Sequence, residues 1–494
     1  MEKQVIIFGA GNFGRSAFEY YGAEMVCCFV DNSKEKIGKE YLGKTIISFD
    51  QLLNEYVGKD DYRLIIACAH SQEICVQLKN AGIDDYSFYN PSIAHMLDII
   101  RKNFSKANIG NENIYLCGIG NETNDIYWAL KSTEFRHNIG GIIKSKYDIP
   151  VKLDFNIPQV DKPLDGSKII ITSVKNHHAL HVGLKISYPK ASVINPFKQV
   201  AYYDTKEVVV NPYENKNEEI SEDEWNRITQ DSINKTEIRE YVETIKEKVP
   251  LFEFIEVETI NRCNGMCSFC PVNKKVDPRI ETKMEKGLFK KIIDELSSLN
   301  YSGELSLFSN NEPLLDERII EFHKYAREKL PKARMHLFTN GTLLSLEIFL
   351  ELMKYLDELI IDNYQQELKL LKPVAAINEY VSTHPELKEK VTIVLRKPHE
   401  ILTSRGGDAP NRTNMQSYGD ETCALPFEQM IIRPDGKVSL CCNDPLGRNT
   451  LGDVNNNSLQ EIWYGDKYKM VRQCIAEGRK NWKHCEFCDT FYLY

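Results

Sequence analysis

The sequence predicts an α/β protein in three parts: tandem β/α units, a second β/α array, and a small cysteine-rich α+β segment. Three observations predict it. Short apolar, β-branched runs ending in glycine turns recur twice before residue 210. Strand patterns alternate with amphipathic helical patterns from residue 251 to about residue 400, the signature of parallel sheets. Nine of the 14 cysteines lie from Cys263 onward, six of them after residue 420. A chain of 494 residues is too long for one core, so several domains are expected. The 62 basic and 71 acidic residues give a net charge of -9, which points away from nucleic acid or an anionic membrane surface. The opening run MEKQVIIFGAGNFG lacks the cationic and apolar regions of an export leader, and no apolar stretch is long enough to cross a bilayer. A soluble cytoplasmic protein is expected.

The first unit, residues 1–105, begins with the strand QVIIF and the turn Gly9-Ala10-Gly11-Asn12-Phe13-Gly14, followed by a helical pattern and the strand MVCCFV, which ends at Asp31. This order is Rossmann-like. Glycines at a helix N-terminus let backbone N–H groups approach a phosphate, and an acid ending the next strand can accept from a ribose hydroxyl. Gly9, Gly11, Gly14 and Asp31 are therefore candidate residues for a nucleotide or nucleotide-linked sugar. The same turn also serves simple helix packing, and both readings stay open. Residues 106–210 repeat the pattern in IYLCGIGNETNDIYWAL, with Gly118 and Gly120 in place, Thr123 at the third glycine position and no acid ending the strand GGII. Residues 211–250 hold an acidic run and a polar helical stretch, read as a solvated linker and connecting helix.

Past residue 250 the cysteines need a chemical reason. Cys27, Cys28, Cys68, Cys75 and Cys117 sit in apolar runs, where a buried free thiol is explanation enough. Cys263, Cys267 and Cys270 instead form C-x3-C-x2-C directly after the strand pattern LFEFIEVETI. Three soft thiolates favour an iron–sulfur cluster or zinc, and three leave one coordination position for a small molecule.

This motif, with Phe269 before its last cysteine, resembles the radical S-adenosylmethionine (SAM) enzymes. The resemblance implies that residues 251–415 form a partial (β/α)6 barrel and that Cys263, Cys267 and Cys270 hold a 4Fe–4S cluster whose open iron binds SAM. GELSLFSNNEPLLD resembles the family element that receives the methionine amino group, which makes Glu312 its acceptor, with Asn310 and Asn311 beside it. Asn311 stands where glycine is usual. MHLFTNGTLLS resembles the next strand, with Asn340 at the barrel mouth, and Arg396 ends a later one. Phe269, Asn310, Asn311, Glu312, Asn340 and Arg396 are thus candidate cofactor contacts.

Residues 416–494 carry a second group. CALPFEQMIIRPDGKVSLCC reads as a hairpin at Asp435-Gly436, and Cys485-Glu-Phe-Cys488 adds a C-x2-C pair. Four thiolates suit a 4Fe–4S cluster or an all-cysteine zinc site. The order resembles the SPASM/twitch extension in its shorter, one-cluster form, which implies Cys423, Cys441, Cys485 and Cys488 as ligands. Cys442 is adjacent but faces the other way along a strand, and Cys474 falls on a helix.

The resemblance implies an oxidoreductase or epimerase with SAM and two 4Fe–4S clusters, supplied by an electron donor such as flavodoxin or ferredoxin. A 5′-deoxyadenosyl radical would take hydrogen from a sugar, cyclitol or nucleotide-linked sugar. The alternatives are a peptide- or protein-modifying maturase and a non-catalytic, cluster-stabilised scaffold.

Overall fold

The structure is a computed structural model. It describes residues 4–491 apart from 60, 69–70, 84–85, 90–95, 98, 102, 105–112, 121, 132–134, 136–137, 154, 175–176, 198–206, 214–219 and 233–234. The boundary expected at 105/106, Glu214, Glu218 and Glu219 of the acidic run, and the side chain of Cys75 therefore lie outside the described residues. The chain divides into two compact units, 1–198 and 199–494. Among the described residues no helix is long and apolar enough to cross a membrane.

The first unit contains two sheets. Strands β1 (Gln4–Phe8), β2 (Val26–Val30), β3 (Glu40–Tyr41), β4 (Lys44–Ile47), β5 (Tyr62–Ile66) and β6 (Tyr86–Phe88) stand in the order β3-β4-β2-β1-β5-β6. All pairings are parallel except β3 with β4, and the order reverses at β1, as in a doubly wound sheet. Burial on both faces explains the continuous apolar runs: Ile6, Phe8, Cys28 and Ile66 share one core, while Val5, Ile7, Phe29 and Ile65 share the other. Strands β7 (Ile114–Cys117), β8 (Ile139–Ile143), β9 (Gln159–Val160), β10 (Lys168–Ile171) and β11 (Ser192–Ile194) form the second sheet, ordered β11-β10-β7-β8-β9. Cys28 and Cys117 are core residues of these sheets.

The second unit is built on one sheet. Strands β12 (Val209–Val210), β13 (Phe254–Val257), β14 (Glu304–Ser306), β15 (Arg334–Thr339), β16 (Glu358–Tyr364), β17 (Val391–Arg396), β18 (Gln429–Ile432), β19 (Lys437–Ser439) and β20 (Thr450–Asp453) run in the order β12-β17-β16-β15-β14-β13-β18-β19-β20. The first seven positions are parallel, and β18–β19–β20 close the sheet as an antiparallel meander. Two expectations change here. The strand beside β17 is β12, from a segment read as the end of the second Rossmann-like unit; its apolar Val209–Val210 covers an edge that would otherwise leave backbone groups unpaired. The segment read as a solvated linker and connecting helix holds two helices, Glu222–Ser232 and Lys235–Ile245, and the second, in the stretch expected to be helical, is not solvated throughout but buries Ile238, Tyr241, Val242 and Ile245 at helical spacing.

Candidate active site

The parallel strands sort their side chains by parity. Ile255, Leu305, Met335, Leu337, Leu359, Ile361 and Ile393 are buried and apolar. Ile361 meets Val374 of helix Lys372–Ser382 around Gly341, which identifies this face as the one under the helices. The opposite face is polar and aromatic. Glu256, Ser306 and His336 are register partners on β13, β14 and β15, and Phe308 and Phe338 stack at 5.5 Å. Asp362, Tyr364 and Arg396 follow on β16 and β17 and are half-buried. At the strand starts, Arg334 pairs with Glu304 at 2.8 Å and with Glu358, which fills that end. Polar side chains left for the other end make it the place for a ligand.

The cysteine loop leaves β13 at that end. Asp277 pairs with Arg262 and Arg279, at 3.3 and 3.0 Å, and pins its base. Asn273 donates from Nδ2 to the carbonyls of Cys267 and Cys270, and Ser268 N–H donates to Pro398. Gly265 sits among the thiols: a Cβ there would lie 3.3 Å from Cys263 Sγ, a tight approach, and 3.9 Å from Cys267 Sγ, an ordinary contact. Burial pushes the Cys263 thiol up to about 12, and the nearby Glu312 and Cys270 add to this. Such thiols ionise readily only when a metal replaces the proton.

Glu312 is almost wholly enclosed, at 1 % exposure. Its Oε1 accepts from the Thr339 hydroxyl at 2.7 Å and from Leu314 N–H at 3.1 Å, and its Oε2 accepts from Asn340 N–H at 2.8 Å. Burial raises its carboxyl to about 7, against the lowering effect of those donors. Oε2 retains a lone pair for an incoming ammonium. The side chain of Asn340 is otherwise engaged: Nδ2 donates to Asn264 Oδ1 at 2.7 Å, and Oδ1 accepts from Thr342. Asn340 thereby ties the cysteine loop to the turn after β15. Asn311 folds back to accept from Ser309 N–H, leaving its buried Nδ2 without a partner. Asn310 donates to Ser309 Oγ and to the Cys442 carbonyl, and its buried Oδ1 has no partner. Phe269 packs against Tyr364, with ring centroids 5.9 Å apart. Arg396 lies between Asp362 and Glu400, at 3.7 and 3.9 Å, in loose ion pairs.

Two residues outside the expected cofactor and metal contacts stand out, Glu256, which the sequence did not signal, and Arg405, on a loop read as a lid or substrate contact. Glu256 receives Gln429 Nε2 at 2.9 Å on one oxygen, and burial raises it to about 7 against the lowering effect of the nearby Ser309 hydroxyl. Arg405 is close enough to act on the charge of both Glu256 and Cys442. It has a left-handed backbone, φ 53°, ahead of Gly406 and Gly407 at 65° and 92°. A non-glycine residue held there costs about 1–2 kcal/mol, which the anchoring of Ser404 to Asp489 and Phe487 sustains. In the sequence the Ser404-Arg405-Gly406-Gly407 stretch reads as a flexible loop fit for a lid or a substrate contact, and the strain at Arg405 shows only in the backbone.

The four C-terminal cysteines converge differently. Cys423, Cys441, Cys485 and Cys488 line one small cavity with Leu425, Pro426, Leu440, Asn443, Arg479 and His484. Among the described residues no three His, Cys, Asp or Glu side chains gather tightly enough to share a single ion, and this holds for both thiol groups. Arg479 braces the cavity, donating to the carbonyls of Thr422, Cys488 and Thr490 and stacking 3.8 Å over Phe491. Cys442 and Cys474 do not line the cavity.

The glycine turns of the first unit are tied by carboxylates. Asp31 accepts from Ala10 N–H, Ser33 N–H and Lys36 Nζ at 2.9–3.0 Å, so the candidate ribose acceptor already holds its own turn. Gly9 and Gly14 have glycine for packing, because a Cβ at either would strike backbone. A Cβ at Gly11 would meet nothing within 4 Å. In the second sheet Asp148 accepts from Ile119 N–H at 2.8 Å and Ser145 N–H at 3.0 Å, the part Asp31 plays in the first. Five residues beyond its strand, it was hidden from a search for an acid at the strand end.

Comparison with known proteins identifies domains in the chain. Residues 257–369 match the radical SAM superfamily and residues 423–489 the SPASM iron–sulfur cluster-binding domain, so the chain carries both domains in that order. Residues 1–88 match the C2185-like N-terminal domain. A curated relative, the S-adenosyl-L-methionine-dependent 2-deoxy-scyllo-inosamine dehydrogenase of Niallia circulans, is 29% identical over 246 residues, 49% of this chain and 94% of the relative. Among solved structures, BtrN in complex with AdoMet and 2-DOIA is 26% identical over 50% of this chain and 98% of its own, with a TM-score of 0.43. An anSMEcpe structure with bound AdoMet is 14% identical, covering 45% of this chain and 79% of its own, with a TM-score of 0.30.

Proposed function

We propose that the protein is a radical SAM dehydrogenase acting on a sugar or cyclitol. The observation that carries it is a three-thiol loop set beside an enclosed acceptor, Glu312, at the open end of a barrel face lined with polar groups. The relative from Niallia circulans, whose length is almost fully spanned, is named for oxidation of an aminocyclitol. When bound, the first cluster and SAM supply the 5′-deoxyadenosyl radical that removes a substrate hydrogen atom.

The residues of the chain do the rest. Cys263, Cys267 and Cys270 hold three corners of the cluster and leave the fourth open. Glu312 receives the methionine ammonium on Oε2, kept in place by Thr339 and Asn340. Arg396 and Tyr364 flank the cofactor on the side of Phe269. Glu256 and Arg405 hold substrate hydroxyl or amino groups between the barrel and the auxiliary site, with the unpartnered Asn310 Oδ1 as a further acceptor. Cys423, Cys441, Cys485 and Cys488 would hold a second iron–sulfur cluster, which would supply an electron acceptor beside the substrate. A flavodoxin or ferredoxin supplies the first electron. Gly11, open on the surface of the first unit, is the point where a phosphate of a nucleotide-linked sugar can approach.

Anaerobically reconstituted protein is expected to hold about eight irons. Incubation with aminocyclitols and sugars deuterated at each carbinol carbon should place deuterium in 5′-deoxyadenosine for one substrate position. Iron loading with SAM cleavage but no label from any such compound would reject the substrate class.

A further inference from the structure

A buried arginine stands beside each thiol group, and the two differ in how their charge is met. Arg279 is close enough to act on the charge of Cys270, and Asp277 at 3.0 Å and Glu258 at 3.6 Å offset it. Arg479 lines the four-cysteine cavity at 1% exposure. Its guanidinium donates only to main-chain carbonyls: Thr422 at 3.2 Å, Thr490 at 2.6 Å and Cys488. Its face stacks on Phe491. Arg479 makes no ion pair among the described residues, and the carboxylate next to Cys488 in the chain, Asp489, is taken by Arg412 at 3.0 Å. Arg472 is also buried, but it stacks on Trp463 and Tyr468 and does not line the cavity.

An enclosed cation with no anion is strongly disfavoured in a low-dielectric interior, so such a site calls for a negative partner. The cavity is the place for one. Burial disfavours the ionised forms of Cys423 and Cys485, and the Arg479 charge acts against that penalty. A 4Fe–4S group capped by four thiolates is net negative and becomes more so on reduction.

We propose that Arg479 sets the potential of the auxiliary cluster: its unneutralised guanidinium favours the reduced, more negative state and makes that cluster a better electron acceptor. This rests on the reading of Cys423, Cys441, Cys485 and Cys488 as cluster ligands. Arg479 acts through the cluster and touches no substrate. Local charge and burial are the levers by which a protein moves such potentials. At the three-thiol group the same lever is cancelled, because Arg279 carries its own counter-ions.

The test is an anaerobic redox titration of full-length holoprotein, read from the paramagnetic signals of the reduced clusters, on wild type, R479K and R479Q. Lysine keeps the charge with fewer hydrogen bonds; glutamine keeps a donor without the charge. In R479Q one midpoint should fall, its reduction becoming about ten-fold less favourable, or about 59 mV for one electron. The other midpoint should stay, and R479K should keep both wild-type values. If the loss of charge prevents assembly, R479Q should hold about four irons while R479K holds about eight. Equal midpoints in all three proteins would overturn the proposal. So would R479K and R479Q shifting alike or losing iron alike, because the hydrogen bonds and not the charge would then decide. A wild type that holds about four irons and shows one midpoint, yet forms 5′-deoxyadenosine, would instead overturn the second cluster and leave the radical SAM reading intact.

Discussion

The two thiol groups of the second unit use the same ligand atom to opposite ends. Around residues 263–270 three cysteines sit on an irregular loop, and two of them, Cys263 and Cys270, are only half-buried. At the C-terminus four cysteines, all under 10 % exposed, enclose a cavity walled by Leu425, Pro426 and Leu440. The loop is held by hydrogen bonds to its backbone, which leaves the thiols facing a place where something else can bind. The cavity is held by the wall itself. Ligand count and enclosure together separate a site that meets a small molecule from one that passes electrons.

The sharpest way to break this contrast is to remove one group and keep the other. Replacing Cys263, Cys267 and Cys270 by Ala should abolish 5′-deoxyadenosine formation while about four irons per chain remain; loss of all iron would show that the sites are not independent. The reciprocal change, Cys423→Ala with Cys441→Ala, should leave SAM cleavage measurable but stop release of oxidised product. Next in size, Glu312→Ala should weaken SAM binding by about 30- to 100-fold, because it removes an ionic acceptor and strands the Thr339 and Asn340 donors. The same carboxyl predicts a pH effect. An ammonium prefers the ionised form, and burial has raised Glu312 to about 7, so SAM affinity should fall as pH drops through that value. A flat titration from pH 8 down to about 6 would remove Glu312 from the contact. Smallest of all, Gly11→Val should leave the melting temperature unchanged, since its Cβ enters open space, and should weaken only nucleotide-sugar binding.

How much was legible beforehand follows from how local each signal is. The three-thiol loop is set by spacing, and a strand followed by C-x3-C-x2-C needs no tertiary knowledge. Asp148 was not legible, because its role depends on a loop bringing it back to Ile119 from beyond its strand. Val209–Val210 was assigned to the wrong neighbour, since a short apolar run does not announce which edge it will cover. Glu256 reads in sequence as one more residue of an amphipathic strand. Only the register with Ser306 and the Gln429 contact reveal it as a polar group on the inner face.

The pairing of β18 with β13, Ile255 opposite Met430 and Val257 opposite Ile432, has a consequence for anyone cutting this chain apart. The cysteine-rich tail is stitched to the strand that launches the first metal loop, so it cannot swing on a hinge as an independent module. Truncation near residue 415 would strip a central strand of its partner and invite aggregation. Chimaeras that graft a foreign tail will succeed only where that parallel seam is reproduced residue for residue.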